Sequence, residues 1–156
     1  MEVKTNNLEE FNSEATRFAN TLEAKSDVAT LVALSGELGA GKTAFVQSVA
    51  KSFGITQTVS SPTFVIEKVY ELSRETRSRL LAGRQGFARL IHIDAYRLEK
   101  PEELEHLGWK DIISKPENLI FLEWPERVPS VIPKSTYRVV LKGEGEGRII
   151  TYEKTN

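Results

Sequence analysis

The sequence predicts an α/β domain with a mainly parallel central sheet, antiparallel strands at its edges and a C-terminal β-hairpin. Three observations carry that prediction. The apolar run from Val28 to Ser35 ends in a glycine-rich turn and passes into an amphipathic stretch from Lys42 to about Phe53, the strand–turn–helix order of an α/β fold. Two further apolar runs, Leu90 to Asp94 and Asn118 to Glu123, have the near-continuous character of strands buried on both faces. Thr136 to Lys142 and Arg148 to Glu153 flank the turn Gly143-Glu144-Gly145-Glu146-Gly147, which reads as a hairpin.

Taken in order, residues 2–6 suit a short edge strand. Asn12 or Ser13 can cap a helix running to about Lys25, with Phe11, Ala15, Phe18, Ala19 and Leu22 at the spacing of one apolar face. Ser26-Asp27 break it before the first buried strand. In the helix after the glycine-rich turn, Phe45, Val46, Val49, Ala50 and Phe53 share a side, and Gly54 is placed to stop it. Gln57 to Pro62 reads as a loop and Thr63 to Leu72 as a strand. Ser73 to Arg89 is charged and without period. Pro101-Glu102-Glu103 opens a further helix, since Pro and acidic residues suit a first turn. There is no internal repeat and no long linker.

Length and composition narrow the function. The 156 residues, 40% of them hydrophobic, are enough for one domain with a real core. With no Cys, a disulfide scaffold, a thiol nucleophile and a Cys-containing zinc site are all excluded. With only His92 and His106, so is a His-rich metal centre. A net charge of -1 argues against coating nucleic acid through bulk positive charge. No run approaches the roughly 18 apolar residues of a membrane span, and Met1 to Asn7 lacks the order of a signal peptide. The expectation is a cytoplasmic protein with no membrane partner.

The segment Gly36-Glu37-Leu38-Gly39-Ala40-Gly41-Lys42-Thr43 matches G-x-x-x-x-G-K-[ST] in full. Glycines let the chain turn with positive φ and bring amide N–H groups up to phosphate oxygens. The helix that follows adds its N-terminal dipole. Lys42 reaches the β- and γ-phosphates as a point charge, and the Thr43 hydroxyl is a ligand for Mg²⁺. At average residue usage, with Gly at about 7%, an accidental match occurs on the order of once per two hundred chains of this size. The preceding strand and following helix make it rarer still. The expectation is a single P-loop NTPase domain spanning residues 1–156, with ATP and Mg²⁺ as its ligands.

Such a loop needs an acid at the end of a neighbouring strand. Asp94 and Glu123 both close an apolar run, where strand ends meet the ligand crevice of an open α/β sheet. Either could orient the metal or the attacking water. Ser60-Ser61-Pro62-Thr63 is placed for a switch-like segment but is also ordinary turn composition. His92 alone reads as a packed histidine, and Trp109 and Trp124 as core or interface anchors.

Four motifs stand in one order: the phosphate loop, then Ser61-Pro62-Thr63-Phe64, then His92-Ile93-Asp94-Ala95-Tyr96-Arg97-Leu98, then Glu123-Trp124-Pro125-Glu126-Arg127. Together they resemble the TsaE (YjeE) family, the ATPase component of the bacterial machinery that makes tRNA threonylcarbamoyladenosine. The resemblance spans residues 36 to 127. It implies that Lys42 and Thr43 bind phosphate and Mg²⁺, that Glu123 is the acid beside the metal, and that Asp94 is a second essential acid. It also implies that Ser61, Pro62 and Thr63 are switch-like and that Trp124 lies beside the site. The implied partners are TsaD and TsaB, TsaD performing the transfer to tRNA while hydrolysis here resets the assembly.

The chain departs from the family pattern twice. Ala44 stands where the family often has a second Thr. The Ser73 to Arg89 stretch is longer than usual and carries Arg74, Arg77, Arg79, Arg84 and Arg89. That cluster is either a solvated hairpin extension or a local contact for tRNA phosphate or an acidic partner. Two other functions compete. A small-molecule kinase would use the arginine-rich stretch as a lid. A GTP-driven switch would carry N-K-x-D, which is absent. Turnover of the chain alone is expected to be slow, since no arginine finger is evident; Arg97 and Arg127 are candidates by proximity to the acids.

Overall fold

The computed structural model describes residues 1–59, 67–73 and 86–153. Among them the elements run β1 (Glu2–Thr5), α1 (Leu8–Ala19), β2 (Thr30–Ser35), α2 (Lys42–Ser52), β3 (Glu67–Glu71), β4 (Arg89–Asp94), α3 (Pro101–His106), α4 (Trp109–Ile113), β5 (Asn118–Glu123), β6 (Tyr137–Glu144) and β7 (Gly147–Glu153). Two short 3₁₀ turns, Pro125–Arg127 and Pro129–Val131, follow β5. The strands form one seven-stranded sheet in the order β1-β7-β6-β2-β5-β4-β3. The pairs β6–β2, β2–β5 and β5–β4 are parallel, and the outer pairs are antiparallel. The expected fold class is therefore the observed one.

Alternation along each strand divides the core between the two faces of the sheet. Val32 and Leu34 of β2, Leu90 of β4, and Leu119 and Phe121 of β5 join Phe11, Phe18, Phe45 and Val46 from α1 and α2. Leu31, Ile91, Ile93, Ile120 and Leu122 face the other way, toward Leu98, Leu104, Trp109 and Val128. Parity then carries His92, Asp94 and Glu123 onto the α2 face, because each lies an even number of residues from Leu90 or Phe121. In the register, Asp94 is opposite Glu123 and His92 is opposite Phe121.

Two details differ from the expectations. The first helix starts at Leu8, not after Asn12, and it ends at Ala19. Asn7 caps it by accepting the Glu10 N–H at 2.9 Å, and the Glu10 carboxylate accepts the Asn6 N–H at 2.7 Å. Glu10 thus ties both residues before the helix, in the manner of a capping box, and neither Asn12 nor Ser13 has an acid three residues on to do the same. Leu22 is buried all the same, from the turn after the helix. The second difference is β6. It pairs parallel with β2, so the C-terminal hairpin supplies a strand of the parallel centre, and only β7 adds an antiparallel neighbour. A fourth helix, α4 (Trp109–Ile113), was not expected from the sequence.

Arg89 belongs to the sheet. It opens β4 and its guanidinium donates to Glu71 Oε1 at 2.9 Å and to Asn118 Oδ1 at 3.2 Å. That pairing ties β3, β4 and β5 together and removes Arg89 from the set of arginines open to a partner. Arg74, Arg77, Arg79 and Arg84 lie outside the described residues, as do Ser60 to Phe64.

Candidate active site

The phosphate loop leaves β2 at Gly36, whose φ of +144° and tight surroundings both require glycine. A Cβ there would come within 2.4 Å of the Leu141 carbonyl oxygen on β6. Gly36→Ala is accordingly expected to lower stability by about 1–3 kcal/mol from strain and clash, read as a fall in thermal midpoint together with weakened nucleotide binding. Gly41 caps α2 in the left-handed region, at φ +103° and ψ 16°. No side chain caps α2, and its first turn carries no acidic residue. The helix thus presents unpaired N–H groups and the positive end of its dipole, an arrangement that binds anions.

Around this helix start lies a cleft of about 400 Å³, lined among others by Gly39, Lys42, Thr43, Asp94, Glu123 and Trp124. Lys42 is buried and its ammonium donates to the Gly36 and Glu37 carbonyls at 2.5 and 2.8 Å. It also lies 4.4 Å from the centre of the Trp124 ring, a cation–π distance. Burial pulls its pKa down, while Glu123, Asp94 and Glu126 oppose that shift without cancelling it. Thr43 Oγ1 donates to Glu123 Oε1 at 2.8 Å. The buried Asp94 accepts the Tyr96 N–H on Oδ1 at 2.9 Å. The structure therefore brings the loop, Asp94 and Glu123 into one cleft, with Thr43 joining α2 to β5.

Trp124 is the described non-glycine residue with positive φ, at 58°. Its N–H extends the sheet by donating to the Leu34 carbonyl at 3.2 Å. The left-handed turn costs about 1–2 kcal/mol and folds the ring back over the site, where it meets Tyr96 with centroids 5.0 Å apart. Arg127 lies 5.6 Å from the centre of the Tyr96 ring and does not itself line the cleft. Arg97 is exposed and does not line it.

Two residues escaped sequence reasoning. Arg148 lines the cleft from the start of β7, its Nη2 donating to the Gly39 carbonyl at 3.5 Å and its Nη1 to the Gly147 carbonyl at 2.7 Å. Only the parallel β2–β6 pairing brings the hairpin here, since Val140 is opposite Ser35 and Arg148 is opposite Gly143. No spacing within the sequence signals it. His92 is the other: it is buried, and its Nε2 lies 2.8 Å from Glu123 Oε1. Its position two residues before Asp94 on one strand was the available sign, because such residues share a face.

The donor set fits Mg²⁺. Thr43, Glu123 and Asp94 offer oxygen, the ligand type that hard cations take. Among the described residues no group of three or more His, Cys, Asp or Glu could enclose a metal ion.

Comparison with known proteins adds the family. The family model described as "Threonylcarbamoyl adenosine biosynthesis protein TsaE" matches residues 5–150. The chain belongs to the TsaE family. Curated TsaE proteins similar to it include that of Borreliella burgdorferi, 31% identical over 79% of this chain and 80% of the relative. Another, from Rickettsia bellii, is 33% identical over 88% of this chain and 83% of the relative. The crystal structure of Bacillus subtilis YdiB superposes with a TM-score of 0.73 at 25% identity, covering 100% of this chain and 86% of that one. The TsaE-family chain is thus a component of tRNA threonylcarbamoyladenosine biosynthesis built on a P-loop fold. Among its described residues, no helix is long and apolar enough to cross a membrane.

Proposed function

We propose that this chain is the ATP-hydrolysing subunit of the tRNA threonylcarbamoyladenosine machinery, driving or resetting a TsaB–TsaD assembly in the cytoplasm. The observation that carries the reading is the Thr43–Glu123 hydrogen bond of 2.8 Å at the mouth of an uncapped helix behind a complete phosphate loop. It joins a hydroxyl that can meet a metal to an acid at the end of the adjacent strand.

The reaction is in-line attack of water on the γ-phosphate. The amides of Gly39 and of Gly41 to Thr43, with the Lys42 ammonium, stabilise charge that develops on the phosphoryl oxygens. Thr43 and Glu123 would hold Mg²⁺, which would supply positive charge to offset that of the phosphates. Glu123 is the metal-side acid, because it already holds Thr43. Asp94, its neighbour across the strands, orients the water or a switch. Trp124 and Tyr96 roof the cleft and exclude solvent from Lys42. Arg148 reaches the loop from the hairpin and adds positive charge beside Gly39.

Arg148→Ala is expected to weaken nucleotide affinity about tenfold, the loss of roughly one charge-assisted hydrogen bond, with little change in thermal midpoint. Titration with a fluorescent ATP analogue reads it, and unchanged affinity would remove Arg148 from the site.

The reading as a whole is tested by measuring ATP hydrolysis with the chain alone, then with TsaB and TsaD, then with tRNA. Stimulation confined to the assembly supports it. A phosphorylated small molecule in place of free phosphate would mark a kinase, and tight GTP-selective binding would mark a switch.

A further inference from the structure

His92 is wholly buried on the central strand β4, and its two ring nitrogens are treated differently by their surroundings. Nε2 lies 2.8 Å from Glu123 Oε1. Nδ1 is buried and has no hydrogen-bond partner among the described residues. A carboxylate oxygen can only accept, so Nε2 carries the proton and donates it. A proton on Nδ1 would be a buried donor with nothing to meet, a costly arrangement.

The same Glu123 oxygen accepts the Thr43 hydroxyl at 2.8 Å. Both of the described hydrogen bonds to the Glu123 side chain therefore fall on Oε1. One comes from β4 on the neighbouring strand and the other from the first turn of α2. Two donors converging on one oxygen fix the carboxylate rotamer and leave Oε2 as the oxygen without a donor among the described residues. Packing alone does not ask for this. A buried position opposite Phe121 is filled at lower cost by an apolar side chain, without stranding Nδ1.

We propose that His92 is a positioning residue that acts through Glu123. Its Nε2–H locks Oε1 onto Thr43 and thereby directs Oε2 toward the phosphate end of the cleft. The inference rests on the ATPase reading of the site, and it assigns His92 no contact with nucleotide. A donor behind a working carboxylate sets where the carboxylate points, and removing such partners commonly costs 10–100-fold.

Three substitutions separate donation from volume. Gln can place its side-chain amide where the imidazole Nε2 lies, whereas the Asn amide reaches only as far as Nδ1, and Phe fills the space without a donor. With the partner proteins present, His92→Phe and His92→Asn are expected to lower kcat for ATP about 10–100-fold, with KM and the ATP dissociation constant within about threefold of native. His92→Gln is expected to recover kcat to within about threefold. Native kcat in His92→Phe, equal losses in the Gln and Phe variants, or a change confined to KM would each overturn the proposal. Long-range ¹H–¹⁵N spectra of the native chain supply a test that needs no variant at position 92 to fold and no turnover. His92 must show a protonated Nε2 and a bare Nδ1, with His106→Gln assigning the two histidines. A protonated Nδ1 would overturn the proposal, whereas absence of hydrolysis by the native assembly would instead strike the ATPase reading.

Discussion

Lys42→Ala is expected to abolish productive nucleotide binding. The ammonium is buried at the mouth of the loop, within 2.8 Å of two of its carbonyls and 4.4 Å from the Trp124 ring. It is therefore held in place before it serves a phosphate, and little ordering entropy remains to be lost. Each hydrogen bond from a charged donor is worth about 1.5–3 kcal/mol. Losing two to the β- and γ-phosphates amounts to a drop on the order of 10²–10⁴ in affinity. Turnover should fall below detection, because the same charge stabilises the transferring phosphoryl group. Nucleotide titration and phosphate release measure the two effects separately. A variant that hydrolyses ATP at the native rate would contradict the assignment. Thermal melting guards against a trivial loss of fold, since the Gly36 and Glu37 carbonyls lose their donor in the same substitution.

Glu123→Ala should give the opposite separation, turnover lost and binding largely kept. Lys42 and the amides at the start of α2 remain to hold the phosphates. The loss of the carboxylate removes the acid that anchors Thr43, and a positioned carboxylate contributes about 10²–10⁴ to a rate. The substitution also leaves Thr43 Oγ1 and His92 Nε2 without their common acceptor. That should lower stability by about 1–3 kcal/mol for the buried member of the pair, visible in denaturant unfolding. Glu123→Gln distinguishes the two consequences. It retains an acceptor oxygen and most of the stability, while the missing charge still removes turnover. Native turnover in the Ala variant would transfer the metal-side role to Asp94.

Much of the fold was legible because hydrophobic pattern and glycine chemistry are local. The run Asn118–Glu123 became β5 with those bounds, since six buried residues in succession fit a strand flanked on both sides. The phosphate loop was legible for a related reason. Its glycines, Lys42 and Thr43 are contiguous, so one short segment holds most of the chemistry. The first helix was displaced because Asn7, Asn12 and Ser13 are all capable caps, and the choice turned on Glu10, whose N–H donates to Asn7 while its carboxylate accepts from Asn6. His92 read as a packed histidine, and it is buried as such a residue would be. Its bond to Glu123 depends on how β4 registers against β5, and no propensity encodes that.

By itself, the sequence determined the α/β class, the phosphate loop, the acids at two strand ends and the family resemblance. Each depends on residues adjacent in the chain or on a motif order that survives without coordinates. The tertiary structure decided which side chains converge. Strand parity and register placed Asp94 beside Glu123 and His92 behind it. The parallel pairing of β6 with β2 brought Arg148 from the far end of the chain to the loop. The left-handed turn at Trp124 laid an aromatic ring over Lys42. These contacts join residues dozens of positions apart. They arise from burying both faces of one sheet, a condition the whole chain satisfies together and no short segment carries alone.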